Sequence, residues 1–354
     1  MSPHPEPADD RRVPLSVLDL ATVRDGHGSA DALRGTTQIA RTADELGYAR
    51  FWVAEHHNMP AVASTSPPVL IAHLAAATRR IRVGSGGVML PNHMPFVVAE
   101  QFALLEALYP DRIDLGIGRA PGTDQATAAA LRGGSPHLTV EQFPEHLALV
   151  LGLLGDGKMA ERRVGKLRAT PAPGSYPEVW MLGSSLYGAQ TAAAYGMPFA
   201  YAHHFAMSSV VDEALAVYRA EFRPSARLPQ PHVMVSASVI AARTAEQARF
   251  LAGPSKIMML SLRTGRLAPI LSPEAAASVE LSALDRELAN QLPGTQYVGT
   301  ATEVVAGLDA LVARTGADEL LLTGTAYDPA TRQDTLRRVA AAWGLRADRP
   351  LPVG

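Results

Sequence analysis

Short apolar runs alternate with longer stretches in which apolar positions recur every three or four residues, from near the start of the chain to near its end. The runs read as strands at residues 15–21, 49–54, 81–90, 113–118, 179–182, 199–203, 233–241 and 319–323. The stretches between them read as helices. Ile39, Ala43 and Leu46 share one helical face, with Ser29 placed to cap its start and Gly47 to close it. Phe102, Leu105 and Leu108 mark another, and residues 188–195 and 212–222 two more. A strand followed each time by a helix predicts parallel pairing, and eight strands suffice to close a (β/α)8 TIM barrel. The spacing alone also fits an open, doubly wound sheet.

Two stretches break the rhythm. Residues 156–176 are rich in charge, Gly and Pro and predict an exposed excursion before the fifth strand. Residues 250–297 carry Pro254, Pro269, Pro273 and Pro293 and predict an irregular insertion after the seventh, with 256–262 apolar enough to pack as a lid. The predicted division is a leader over residues 1–12, polar, Pro-rich and disordered rather than a signal peptide, one barrel domain over 13–345, and a tail over 346–354.

Composition narrows the function. The formal charge of −2 and the lack of any Lys/Arg run argue against nucleic-acid binding. There is no cysteine, which removes disulfides, thiolate ligands and a Cys nucleophile and fits a reducing compartment. No run of about 18 apolar residues occurs, so no membrane span is expected, and the expected setting is the cytoplasm.

Polar clusters at strand exits matter most, because barrel active sites lie at the C-terminal ends of the strands. Glu55-His56-His57 leaves the second strand. These residues could ligate a metal, act as general acid and base, or tie down the loop; alternation sends adjacent histidines in opposite directions. His203 and His204 are too little to complete a metal site, and no metal is expected. Ser85-Gly86-Gly87 puts glycines inside the third strand, as a bulge or as a place where a flat ligand approaches the backbone. Arg119 follows the fourth strand in a Gly-containing loop, positioned for an anionic group or a surface salt bridge. Gly183-Ser184-Ser185, then Leu186-Tyr187, turns the fifth strand into a helix: a phosphate site or an ordinary N-cap.

Pro14 to Leu20, Ala54-Glu55-His56-His57-Asn58, Val83 to Gly87, Leu90-Pro91-Asn92-His93 and Arg119-Ala120-Pro121-Gly122-Thr123, in this order, resemble the luciferase-like monooxygenases, a likeness running from about Pro14 to Tyr327. The resemblance implies FMN, reduced by a separate flavin reductase, bound across the barrel mouth and activating O2 at its C4a position; some relatives use the deazaflavin F420. It implies His56 as the acid/base residue, with Glu55 and His57 beside it. It implies a non-proline cis peptide at Ser85–Gly86 next to the flavin ring, and a phosphate held by Arg119 and the Ser184–Ser185 turn. It also implies a homodimer packed through barrel helices. Gly118 stands where luciferase proper has a reactive cysteine and Ser184 where it has a carboxylate, so light emission is not implied. Met89, Leu90, Phe96 and Met181 are expected to line the rim and select an apolar substrate. The competing expectations are an F420-dependent oxidoreductase, a metal-dependent hydrolase using His56 or His57 with Glu55, and a flavin-storage or sensing protein without turnover.

Overall fold

A computed structural model describes residues 12–172, 174–205, 210–290 and 296–347. Its strands are β1 (Leu15–Asp19), β2 (Arg50–Val53), β3 (Arg82–Met89), β4 (Ile113–Gly118), β5 (Glu178–Gly183), β6 (Phe199–Tyr201), β7 (Val233–Ala242), β8 (Gln296–Thr300) and β9 (Glu319–Thr323). All pairings between them are parallel. The order β1 to β6 continues through β7 and β9 back to β1, which closes an eight-stranded barrel and excludes the open sheet.

The additional strand is β8. Ser238 pairs with Thr323 on one edge and Gln296 on the other, so β8 occupies the edge of β7 that β6 leaves after Val235. It lies within and just beyond the stretch expected to be irregular. That stretch also opens on a regular helix, Ala245–Thr264, which runs through Pro254, and continues in short helices at Pro273–Ala277 and Ala283–Asn290. Ile270 then docks on the β1 exit: its N–H donates to Val23 O, and its carbonyl accepts from Asp25 N–H. The insertion is therefore a strap from β7 back to β1.

Strand alternation sorts two cores. Val17, Phe51, Val83, Leu115, Val179 and Met181 face the surrounding helices. Leu18, Trp52, Trp180, Met234 and Leu321 fill the barrel interior. Below these lies a charged layer. Arg50, 2% exposed, bridges Asp114 (3.0 Å), Glu178 (2.8 Å) and Glu319 (3.2 Å), while Arg82 also holds Asp114 (2.6 Å). The Trp52 indole N–H donates to Asp114 (2.9 Å), and Arg50 lies over the Trp180 ring. Buried charges persist when paired and hydrogen-bonded, as here.

Several boundaries move for local reasons. β1 stops at Asp19 because its carboxylate takes the Ala21 N–H (2.8 Å) and bends the chain. The first helix begins with Ser29 inside it; Gly28 caps it, its N–H bound by Asp31. β6 stops at Tyr201, and His203–Phe205 form a 3-10 turn. Residues 156–176 are not wholly irregular, since Gly157–Met159 and Ala160–Val164 are helical. Arg12, expected in the leader, pairs with Asp309 (2.9 Å) and lies over Trp343. The rest of the leader, most of the tail and residues 291–295 of the insertion lie outside the described residues. No described helix is long and apolar enough to cross a membrane.

Candidate active site

The C-terminal ends of β2, β3, β4 and β5 are neighbours on one rim, and the expected site residues emerge there in order. Their arrangement differs from the simplest reading of three catalytic side chains side by side.

Glu55 is fully buried. Its Oε1 faces His57 Nε2 (2.9 Å) and His93 Nε2 (2.8 Å), and its Oε2 accepts the Met89 backbone N–H (3.0 Å). Burial alone would raise this carboxyl, but the His93 and His57 bonds and the Met89 N–H outweigh it and hold it below its ordinary value. An ionised carboxylate only accepts, so both imidazoles donate from Nε2. With all three donors engaged, Glu55 ties the β2 exit to the β3 exit.

His56 points the other way. Its Nδ1 lies 2.6 Å from the Glu55 backbone oxygen. A carbonyl cannot donate, so Nδ1 carries the hydrogen and Nε2 presents a lone pair. Nε2 makes no hydrogen bond to any described residue. Burial lowers the pKa of His56, the Glu55 charge partly opposes this, and the nearby His57 adds to it. The backbone around it is fixed as well: His56 N–H donates to Ser64 O (3.0 Å), His57 N–H to Gly122 O (3.3 Å), and Thr123 Oγ1 to His57 O (2.8 Å). Gly122 has φ +65°, and a Cβ there would stand 2.7 Å from Glu55 O. Only glycine fits that approach.

The third-strand element is a bulge, with register shifting between Gly86 and Val88. The cis bond is Gly86–Gly87, one position beyond the expected Ser85–Gly86. Ser85 spends its hydroxyl on Gly116 O (2.9 Å) and is fully buried. A Cβ on Gly86 would lie 2.8 Å from Leu18 and 3.2 Å from Trp52, so the interior core itself demands glycine there.

Arg119 stacks on Tyr187, guanidinium to ring centroid 3.9 Å, and joins no salt bridge with a described residue. Tyr187 lies in the first turn of the helix Leu186–Tyr195. Ser185 is its N-cap, yet its side chain makes no capping bond, and the hydroxyls of Ser184 and Ser185 are exposed. Gly183 and Gly188 pack closely, bringing the strand end onto this turn. A partly buried cation, two free hydroxyls and the first-turn N–H groups converge, a donor set suited to a phosphate.

Three expected rim residues are elsewhere. Leu90 and Met181 are buried among the helices, and Phe96 packs against the same layer; of the four, only Met89 reaches the mouth, against Gly118 and Gly122. Met181 alternates with Trp180 and Leu182, which take the interior. A separate apolar cluster lies by the β1 exit, with Leu20, Met59, Met258 and Tyr327 packed around Ala61, Val62 and Ile270. One residue outside the expected site set reaches Glu55, and another titratable side chain stands at the β6 exit. His93 reaches Glu55, and its Leu-Pro-Asn-His context was the available signal. His204 Nδ1 lies 2.6 Å from Ser236 Oγ, and burial, with His203 adding, pushes its imidazole down to about 4. Among the described residues, no three His, Asp or Glu side chains are arranged to hold a metal ion.

Residues 13–319 match the family model described as luciferase-like monooxygenase. The chain is 41% identical over 325 residues to a luciferase-like monooxygenase of Escherichia coli K12, covering 91% of this chain and 95% of the relative. It is also 41% identical over 332 residues to YvbT of Bacillus subtilis, covering 94% and 97%. The crystal structure of apo-MsnO8 superposes with a TM-score of 0.86 at 34% identity, covering 95% of this chain and 99% of the other. With the family model matched over most of the chain and the barrel and nearly the whole length shared with these relatives, the chain belongs to the luciferase-like monooxygenase family of oxidoreductases.

Proposed function

We propose that the chain binds reduced FMN across the C-terminal mouth of the barrel and oxygenates an apolar organic substrate with O2, reduced flavin arriving from a separate reductase. The observation that carries this reading is the Arg119–Tyr187 stack at the open first turn of Leu186–Tyr195, on the same rim as His56. Arg119, Ser184, Ser185 and the N–H groups of Leu186 and Tyr187 would hold the phosphate, and the backbone of Gly86–Gly87 would lie against the ring. Bound reduced flavin supplies the two electrons that O2 requires.

The chain's own part is binding, shielding and proton control. His56, neutral because it is buried, offers Nε2 as the base and returns the proton as acid. His57 and Glu55 hold it in place. Leu20, Met59, Met258 and Tyr327 keep water off the mouth and give an apolar substrate its surface, with the strap over 250–290 as cover. A relative 38% identical over 263 residues is named N-acetyl-S-alkylcysteine monooxygenase, which makes alkyl thioethers the first substrates to try.

Proteins of this fold include the oxygenating constituent of 3,6-diketocamphane monooxygenase, solved with FMN, and an F420-dependent secondary alcohol dehydrogenase, solved with an F420–acetone adduct. Binding titrations with both cofactors discriminate the two readings: tight FMN and weak F420 are expected, and the reverse order moves the chain to hydride transfer. Binding of neither overturns the flavin reading. The same reading includes a cytoplasmic setting and a homodimer. The dimer draws support from Met94, Val97, Leu104 and Leu108, an exposed apolar stripe beginning at the cap of the helix Pro95–Leu108, with exposed Val69 on the helix Pro67–Ala77.

A further inference from the structure

We propose that His93 is a positioning residue that holds the acid/base imidazole of His56 in one tautomer, acting through the side chain and then the backbone of Glu55. His93 leaves the turn after β3, while His56 follows β2, so the two belong to different βα loops. They are joined by one residue. Glu55 Oε1 receives Nε2–H from His57 and from His93, and its backbone oxygen receives Nδ1–H from His56. The carboxylate and the carbonyl of one residue thus serve two different jobs, and the first sets the direction of the second.

A fully buried carboxylate must have its lone pairs engaged, and an unmet one turns or takes up a proton. His57 is two residues away on the same loop and its backbone is tied to Gly122 and Thr123 after β4, so it cannot anchor Glu55 to the β3 exit. His93 and the Met89 N–H can, because both belong to the β3 exit. His93 is itself held: its N–H donates to Leu90 O (3.0 Å) in the turn Leu90–Asn92. The neighbouring Asn92 donates to Pro121 O (2.8 Å) and accepts from Arg132 (3.3 Å), tying that turn to the β4 exit. Without His93 the carboxylate keeps the His57 imidazole and the Met89 N–H but loses the side-chain half of its tie to the β3 exit, so the Glu55 carbonyl is free to reorient and Nδ1–H of His56 loses its defined acceptor.

The inference rests on the flavin reading for its turnover measurement alone; the tautomer measurement needs no cofactor. Full-length protein labelled with 15N-histidine reports each ring by long-range proton–nitrogen correlation. The expected wild-type pattern is His56 as Nδ1–H, and His57 and His93 with hydrogen on Nε2. In His93→Leu the His56 signals should move to a mixture of tautomers, and in His93→Gln, whose amide can donate from near the Nε2 position, they should return. Should His93→Leu not fold, His93→Asn, too short to reach Oε1, takes its place. FMN affinity should stay within about 2-fold, while turnover of any thioether accepted by the wild type falls about 10-fold in His93→Leu and recovers in His93→Gln, the scale of a misplaced catalytic group. An unchanged His56 tautomer in His93→Leu, or no recovery in His93→Gln, overturns the proposal. So does stoichiometric Zn2+ or Fe2+ bound by the wild type and lost in His93→Gln, since the cluster would then be a metal centre. If FMN fails to bind any of the proteins, the flavin reading falls and the tautomer result still stands or fails by itself.

Discussion

Three consecutive residues at the β2 exit have three different roles. Glu55 is buried and occupied, His57 is spent on Glu55, and His56 faces away with one ring nitrogen unengaged. His56→Gln is therefore expected to lower turnover by at least about 100-fold, the contribution typical of a general acid/base group, with FMN affinity nearly unchanged. Steady-state rates beside flavin titrations check this, and retained turnover would remove His56 from its role. Burial lowers the pKa of His56, so its base form persists below the usual histidine range. The acid limb of the rate profile should accordingly fall below about pH 6.5. Arg119→Ala should act in the opposite sense, weakening FMN binding while sparing riboflavin, which lacks the phosphate. Equal weakening of both ligands would place the phosphate elsewhere.

At the scale of elements, the barrel holds two features that periodicity conceals. One is the charged layer around Arg50. Arg50→Met would leave Asp114 and Glu319 buried with too few counter-charges, a change worth about 3–5 kcal/mol. Urea denaturation of the variant measures it, and a loss below 1 kcal/mol would mean that the layer is hydrated. The same layer sets the acid limit. Burial raises Asp114 and Glu319, but Arg50 above all, with Arg82 on Asp114, outweighs it, and both carboxyls lie below their ordinary values. Groups depressed in this way stabilise the fold above their unfolded values near 4. That contribution is lost as pH falls through the lower folded values. Stability should therefore drop below about pH 4, and less steeply in Arg50→Met, as thermal melts across pH would record. The other feature is the strap. Ile270 makes a two-bond parallel bridge to the β1 exit, and Tyr327 and Arg24 close the same corner.

For the molecule as a whole, the exposed stripe at Met94, Val97, Leu104 and Leu108 bears on assembly. Leu104→Glu with Leu108→Glu should convert the proposed dimer to a monomer in light scattering without unfolding the barrel, and a wild type already monomeric at micromolar concentration would end that proposal. His204 adds a second pH effect to the acid response. Its imidazole is pushed down to about 4 by burial and by His203, so the folded state resists a proton that the unfolded chain accepts below about 6.5. Stability should decline as pH drops from about 6.5 towards 4, and His204→Gln should flatten that part of the curve.

Local order was readable along the chain. Eight of the nine strands fall on the expected runs to within two residues at each end, with β4 and β9 matching at both ends, because parallel strands buried on both faces appear as continuous apolar runs. The Glu-His-His exit, Arg119 and the Ser184–Ser185 turn were also visible, since strand ends in a barrel converge on one rim whatever the loops do. What tertiary structure decided is everything that depends on partners distant in sequence. β8 was hidden in a Pro-marked stretch because its strand state comes from the vacant edge of β7. Met181, Leu90 and Phe96 looked like rim residues because hydrophobicity does not record which face of the barrel a side chain meets. Residue order placed Glu55 beside His56. The fold instead turned its side chain toward a histidine 38 residues later, leaving to His56 only the backbone carbonyl. Sequence by itself determined the succession of parallel strands and helices and which polar residues stand at the strand ends; closure into a barrel decided which of those groups meet, because burial makes each one find a partner wherever the fold supplies it.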